Sequence, residues 1–170
     1  IDVALIQVSP PDRHGYCSYG VSTDVVKPAT EASNLVIAEV NEQMPRTLGE
    51  SFLHVDDIDF LVPVDYPILE TTVGVADEIA RNIGKYIATL IEDGSTLQMG
   101  IGTIPDSVLY YLRDKKELGI HTEMFSDGMM HLVELGVITN MKKSLHRGKI
   151  VAAFCMGSKK LYDFVDNNPF

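Results

Sequence analysis

The stretch from Ser95 to His131, STLQMGIGTIPDSVLYYLRDKKELGIHTEMFSDGMMH, constrains this chain more than any other part of it. A short apolar run, Ser95 to Met99, meets Gly100-Ile101-Gly102, and a pair of glycines so spaced turns the chain sharply. Pro105 then suits the first turn of a helix, where its missing N–H costs nothing. Val108, Leu109 and Leu112 continue with helical spacing. Gly119 restarts the chain into a second strand, which delivers Glu123 beside Thr122 and ahead of Ser126-Asp127-Gly128. Strand, turn, helix and strand in that order predict an open α/β sheet. Ligands bind such sheets outside the carboxyl ends of the strands, where the glycine turn and Glu123 are both expected.

The rest of the chain alternates in the same way. Asp2 to Val8 is a strand apolar enough to be central in a sheet. Ser9 to Ser22, SPPDRHGYCSYGVS, holds two prolines and two glycines, which exclude a continuous helix or strand. A loop of this length is either functional or a surface excursion packed by Tyr16 and Tyr19. Ser22 or Thr23 can cap a helix reaching about Ala32, weakened in its middle by Pro28. Asn34 to Val40 is the next strand, followed by loop chemistry from Asn41 to Gly49. Phe60 to Val64 is a further strand, and Pro63 assigns it to an edge or a strand end. Tyr66 to Gly74 reads as a boundary. A long helix is predicted from about Val75 to Ile91, with Val75, Ile79, Ile83, Ile87 and Ile91 recurring every fourth residue. Asp77 and Glu78 suit its first turn, and Asp93-Gly94 closes it. Leu132 to Leu135 continues a short helix from the Ser126-Asp127-Gly128 loop, Asn140 to Lys149 is a basic connector, Ile150 to Phe154 a strand, and Gly157-Ser158 the start of a last helix. The predicted class is α/β with mainly parallel open sheets flanked by helices.

Composition excludes several functions. The formal net charge of −10 opposes non-specific binding to nucleic acid. No apolar run is long enough to span a bilayer, so no membrane partner is expected. Cys17 and Cys155 lie far apart, which favours a reducing compartment without structural zinc. The chain opens inside an apolar run, Val3 to Ile6, and ends at Asn167-Asn168-Pro169-Phe170; an excised piece of a longer protein is expected.

Two constellations carry chemistry. Gly100-Ile101-Gly102 between strand and helix either brings backbone N–H groups against a ligand or is only a tight connection. With Glu123 at the end of the next strand it imitates a dinucleotide fingerprint, but Pro105 replaces the third glycine and argues against that cofactor. Glu123, among Met124, Phe125, Met129 and Met130, is expected to be desolvated and so raised in pKa. Its roles would be general acid/base or nucleophile; the plainer alternative is a loop carboxylate accepting bonds from Ser126 or Gly128. No second acid is placed as an obvious partner for glycosidase chemistry. His121 and His131 flank the site without a third ligand at metal spacing, so no metal is expected. The Lys142 to Lys149 connector either attracts phosphates or is a solvated basic turn.

GYCSYG after SPPD, EVNEQMPRTLG, LQMGIGTIPDSV, HTEMFSDGMMHLVE and GSKKLYDFVDNNP together resemble the acetyl-CoA hydrolase/transferase family. The closest likeness within it is to the 4-hydroxybutyrate CoA-transferases. The resemblance covers essentially the whole chain. It implies two NagB/RpiA-like CoA-transferase domains with an active site between them, residues 1–73 being the later part of the first and 74–170 the opening of the second. It implies that Glu123 is the catalytic nucleophile, passing through an acyl-glutamyl anhydride and a glutamyl-CoA thioester. Gly100, Ile101 and Gly102 are then candidate oxyanion donors. Ser9, Pro10, Gly15, Tyr16, Asn41, Met44 and Pro45 would line the acyl side. Coenzyme A and acyl-CoA are implied as substrates, with no prosthetic group. A homo-oligomer in the cytoplasm, or in mitochondria of a eukaryote, is expected, together with the rest of the same polypeptide, which would hold the glycine-rich CoA loop. Acyl-CoA hydrolase is the nearest alternative; a dinucleotide-binding module and a non-catalytic fragment are alternatives of other classes.

Overall fold

The computed structural model describes residues 1–170 except Val73. The chain divides into two compact units: Ile1–Glu70 with Tyr162–Pro169, and Thr71–Leu161 with Phe170. A join between residues 73 and 74 has its first member, Val73, outside the described residues.

The first unit contains β1 (Val3–Val8), β2 (Tyr16–Ser18), α1 (Val26–Glu31), β3 (Leu35–Asn41), β4 (Phe52–His54) and β5 (Phe60–Val64). β1, β3 and β5 form a parallel sheet in that order. Pro63 lies on the edge strand β5, where a missing ladder donor is tolerated. β1 is a correction to the sequence reading: β3 is central and β1 is the other edge. Its burial alternates, with Ala4, Ile6 and Val8 inward and Val3 and Leu5 exposed. The inward residues meet Cys17, Tyr19, Val36, Ala38, Leu53 and Ile58 in one core. The loop after β1 is not wholly irregular, because β2 pairs antiparallel with β4. α1 starts at Val26, later than expected, and neither Ser22 nor Thr23 caps it; Val25 is its N-cap, without a side-chain bond. That start moves Pro28 into the first turn, where it removes no helical hydrogen bond.

The second unit contains α2 (Glu78–Leu90), β6 (Thr96–Leu97), α3 (Thr103–Tyr110), β7 (Gly119–Phe125), α4 (Asp127–Glu134) and β8 (Val151–Cys155). A last helix, α5 (Lys159–Val165), is divided in sequence between the two units. β6, β7 and β8 form a parallel sheet in chain order, with α3 and α4 as the crossovers that parallel strands require. β6 ends early because Thr122 replaces the ladder. Its hydroxyl accepts from Met99 N at 3.0 Å and donates to Met99 O at 3.1 Å.

α2 reverses a second expectation. Asp77 caps it, accepting from Ala80 N at 2.7 Å, so it begins three residues later than predicted. Its buried stripe is Ala80, Gly84 and Ala88, while Val75, Ile79 and Ile87 are exposed. The small residues let α3 come close: a Cβ on Gly84 would lie 2.7 Å from Ser107 C and 2.9 Å from Val108 N. α4 starts at Asp127, within the Ser126-Asp127-Gly128 loop from which the sequence reading begins it, with Ser126 as N-cap.

The basic connector is partly structural. Lys143 is buried and its Nζ donates to Ile120 O and Lys149 O, both at 2.7 Å. Burial pulls its ammonium below the usual 10.5. Asn140, also buried, accepts from Ile120 N at 2.9 Å.

Candidate active site

At the carboxyl ends of β6, β7 and β8 lies a cleft of about 130 Å³. Each strand contributes the turn that follows it: Ile101 and Gly102 after β6, Ser126 and Asp127 after β7, Met156 and Gly157 after β8. Thr71, Thr72 and Gly74 line it from the start of the unit. Gly102 has φ of +114° and ψ of −176°, a conformation that glycine alone adopts cheaply. It is the N-cap of α3. The N–H groups of Gly100, Ile101 and Gly102 make no hydrogen bond among the described residues, so the turn offers donors at this edge.

Two carboxylates stand in the cleft. Asp127 is held by Ser158: Oδ2 accepts from the Ser158 backbone N–H at 2.9 Å, and Oδ1 from the Ser158 hydroxyl. Gly157 leaves room for this, since a Cβ there would be 2.2 Å from Asp127 Oδ2. Asp106, in the first turn of α3, has no such partner among the described residues. Burial, and then the negative charge of Asp127, push its carboxyl above the usual 3.8. The sequence reading passes over Asp106, although it belongs to the same GIGTIPD run; its relation to Asp127 is set by packing of α3 on α4, which no local pattern announces.

Glu123 is the fifth residue of β7 and is exposed. The expected dry setting is therefore corrected for this chain. Strand alternation buries Thr122 and Met124 on one face, while Glu123 shares the opposite face with the exposed His121. Met124 lines the cleft and Glu123 does not. His121 in turn tilts against His146, with ring centroids 6.1 Å apart. No group of three His, Cys, Asp or Glu side chains suited to a metal exists among the described residues.

In the first unit the seven acyl-side candidates fall into two groups. Ser9, Asn41, Met44 and Pro45 are buried. Ser9 joins β1 to β2: its N–H donates to Ser18 O at 2.8 Å and its Oγ accepts from Ser18 N at 2.9 Å. Asn41 donates to Gln7 Oε1 at 3.1 Å and Tyr66 O at 2.9 Å, and accepts from Gln43 N at 3.0 Å. Both polar side chains are thus committed inward. Pro10 and Gly15 are half-buried, and Tyr16 is exposed with its ring edge-on to His54. Arg46, absent from the sequence candidates, bonds to residues far away in the chain: its side chain donates to Asp12 and Asn167 and its backbone N–H to Asp166.

A family model described as the acetyl-CoA hydrolase/transferase N-terminal domain matches residues 1–75. The 4-hydroxybutyrate coenzyme A transferase of Clostridium kluyveri is 62% identical over 169 residues, covering 99% of this chain and 39% of that protein. A succinyl-CoA:acetate/propanoyl-CoA:succinate CoA transferase of Fasciola hepatica is 48% identical, covering 99% of this chain and 36% of that protein. Among solved structures, the 4-hydroxybutyrate CoA-transferase of Porphyromonas gingivalis superposes with a TM-score of 0.96 at 50% identity, over 99% of this chain and 43% of that one. The chain thus spans roughly two fifths of the length of the relatives it matches. Motif order, sheet topology and these matches agree: residues 1–75 match the N-terminal domain of the acetyl-CoA hydrolase/transferase family, and the whole chain is similar to part of these CoA transferases.

Proposed function

We propose that the protein to which this chain belongs moves coenzyme A between an acyl-CoA and a carboxylic acid, with Glu123 as the covalent carrier. The observation that carries the reading is an unpaired glutamate near the carboxyl end of β7, two residues before the edge where the glycine turn offers free N–H donors. An exposed carboxylate with no ion-pair partner among the described residues is free to attack.

The steps balance as follows. A Glu123 oxygen attacks the thioester carbonyl, the carbon–sulfur bond breaks, and CoA thiolate leaves an acyl-glutamyl anhydride. Thiolate then attacks the glutamyl carbonyl and releases the first carboxylic acid, giving a glutamyl-CoA thioester. An acceptor carboxylate attacks that carbonyl, expelling thiolate, which captures the new acyl group and frees Glu123. Each tetrahedral intermediate carries negative charge on the former carbonyl oxygen. The Gly100, Ile101 and Gly102 amides are proposed to receive it, one such donor being worth about 3 kcal/mol. Thioester replaces thioester, so the energetic demand is orientation and exclusion of water rather than net driving force. Since Glu123 is exposed in this chain, water exclusion falls to bound substrate and to the length of the relatives beyond it.

That same exposure favours one second reading, an acyl-CoA hydrolase, in which water rather than a carboxylate takes the glutamyl thioester. Catalysis in the cytoplasm, or in mitochondria of a eukaryote, by a homo-oligomer is part of the proposal.

Incubating the full-length protein with acetyl-CoA and measuring its mass tests the reading. A covalent gain equal to CoA less water is expected. Glu123→Gln should abolish it and lower acyl exchange by roughly 10³-fold or more. Adduct that persists in Glu123→Gln, or exchange without adduct in the parent, overturns the assignment. Free CoA released without an acceptor selects the hydrolase. NAD binding with no adduct selects a dinucleotide module.

A further inference from the structure

We infer that Arg46 is a positioning residue that fixes the surface of the first unit carrying Gly15 and Tyr16 and thereby selects among carboxylic acids; this rests on the proposed transferase reading and on the acyl-side role that the family resemblance implies for that surface. Arg46 connects three segments distant in sequence. Its Nη2 donates to Asp12 Oδ2 at 3.1 Å. Its Nη1 donates to Asn167 Oδ1 at 3.3 Å. Its backbone N–H donates to Asp166 Oδ1 at 2.7 Å, while its carbonyl accepts from Asn167 N at 2.8 Å. The guanidinium lies 4.6 Å from the centroid of the Phe52 ring. A planar fork that pairs, donates sideways and stacks is a task for arginine and not for lysine.

The connection reaches Tyr16 through Asp12. Asp12 Oδ1 accepts from His14 N at 2.9 Å and from Tyr16 N at 3.1 Å. Asp12 N donates to Tyr16 O, and Gly15 N to Asp12 O, both at 2.9 Å. One carboxylate oxygen therefore shapes the turn that presents Gly15 and Tyr16, and the other is held by Arg46. The amides of Tyr16 and His14, and then Arg46, hold the Asp12 carboxyl below its usual 3.8, so it remains ionised for this duty. On its own segment, Arg46 directly follows the buried Met44 and Pro45. Loss of the fork should leave the β1-β3-β5 sheet intact and let the Tyr16 turn drift. A drift near 1 Å at a substrate surface costs far more in kcat/KM than in stability.

The test uses the full-length enzyme with acetate and butyrate as alternative acceptors. Arg46→Lys keeps the charge and removes the fork; Asp12→Asn removes the anion and keeps the shape. Each is expected to change the ratio of kcat/KM for acetate over butyrate by about threefold or more, through KM, with kcat/KM falling roughly tenfold. The double variant should be no worse than the more impaired single one, since both break one connection. Glutamyl-CoA adduct formation from acetyl-CoA should persist in all three. Unchanged acceptor ratios in both single variants, with only a lower melting temperature, overturn the inference and make Arg46 a plain structural clamp. Additive losses in the double variant overturn the path through Asp12. Failure of the transferase reading would show separately, as an adduct absent in the parent or insensitive to Glu123→Gln.

Discussion

Asp106 shows how one side chain at the cleft can trade stability for position. Its carboxyl is raised above 3.8, first by burial and then by the charge of Asp127. The native state therefore holds this proton more tightly than the unfolded chain does. Well below 3.8 both states are protonated and the group costs nothing; as pH rises through and beyond the raised value, the native state carries an ionised carboxylate it disfavours. At pH 7 that cost is fully present. Asp106→Asn is accordingly expected to raise the melting temperature at pH 7 by about 1–3 °C, the effect being kept small by water in the open cleft. At pH 3 the gain should vanish. Thermal unfolding at the two pH values checks this, and an equal gain at both would mean that the amide helps by packing alone. Asp127 is not an equivalent position, because Ser158 already satisfies both its oxygens.

At the scale of elements, α2 on α3 is the contact that most sharply separates composition from packing. Two stripes run along α2 one residue apart: Ile79, Ile83 and Ile87, and Ala80, Gly84 and Ala88. Periodicity registers both, and hydropathy selects the isoleucines; close approach of α3 selects the small residues instead. Gly84→Ala should gain about 1 kcal/mol of helix propensity and lose about 1–3 kcal/mol to overpacking against Ser107 and Val108, for a net loss. Ile79→Ala, on the exposed stripe, should stay within about 0.5 kcal/mol of the parent. Urea unfolding of the 170-residue chain distinguishes them, and the reverse order would restore the isoleucine face as the packed one. The parts legible from sequence were those whose cause is local: the Gly100-Ile101-Gly102 turn, Pro105 in a first turn, Pro63 at an edge, and β7 carrying Glu123. The illegible parts have causes far away in the chain. Thr122 ends β6 from the neighbouring strand, Lys143 turns inward to Ile120, and Arg46 meets Asn167 across 121 positions. The expectation of a dry Glu123 fails because it follows from the buried neighbours Met124 and Phe125, and in a strand a neighbour's burial says little about one's own.

Taken as a whole, the molecule exposes more organised apolar surface than scattered surface hydrophobes account for. On the first unit, Val3 and Leu5 of β1 and Phe60 and Val62 of β5 are exposed. Register aligns them across β3: Leu5 stands beside Ile37, and Ile37 beside Phe60. Parallel sheets ordinarily have both faces covered, because their crossovers place helices on each side. Here Ala4, Ile6 and Val8 have a covered face and the alternate residues do not. On the second unit, Ile79, Tyr86 and Leu90 of α2 are more than two thirds exposed, at 70%, 74% and 81%. Contiguous patches of this kind drive association when nothing else covers them, and a net charge of −10 opposes it only until salt screens the repulsion. The 170-residue chain on its own is therefore expected to self-associate, more strongly at 0.5 M than at 0.05 M salt, with the sheet face as the main seat. Replacing Leu5 and Phe60 together by Lys should shift sedimentation toward monomer, while Ile79→Lys alone shifts it less. A chain that sediments as monomer at both salt concentrations would show that these faces are too small or too dispersed to act, and that alternation along β1 and β5 is tolerated without a cover.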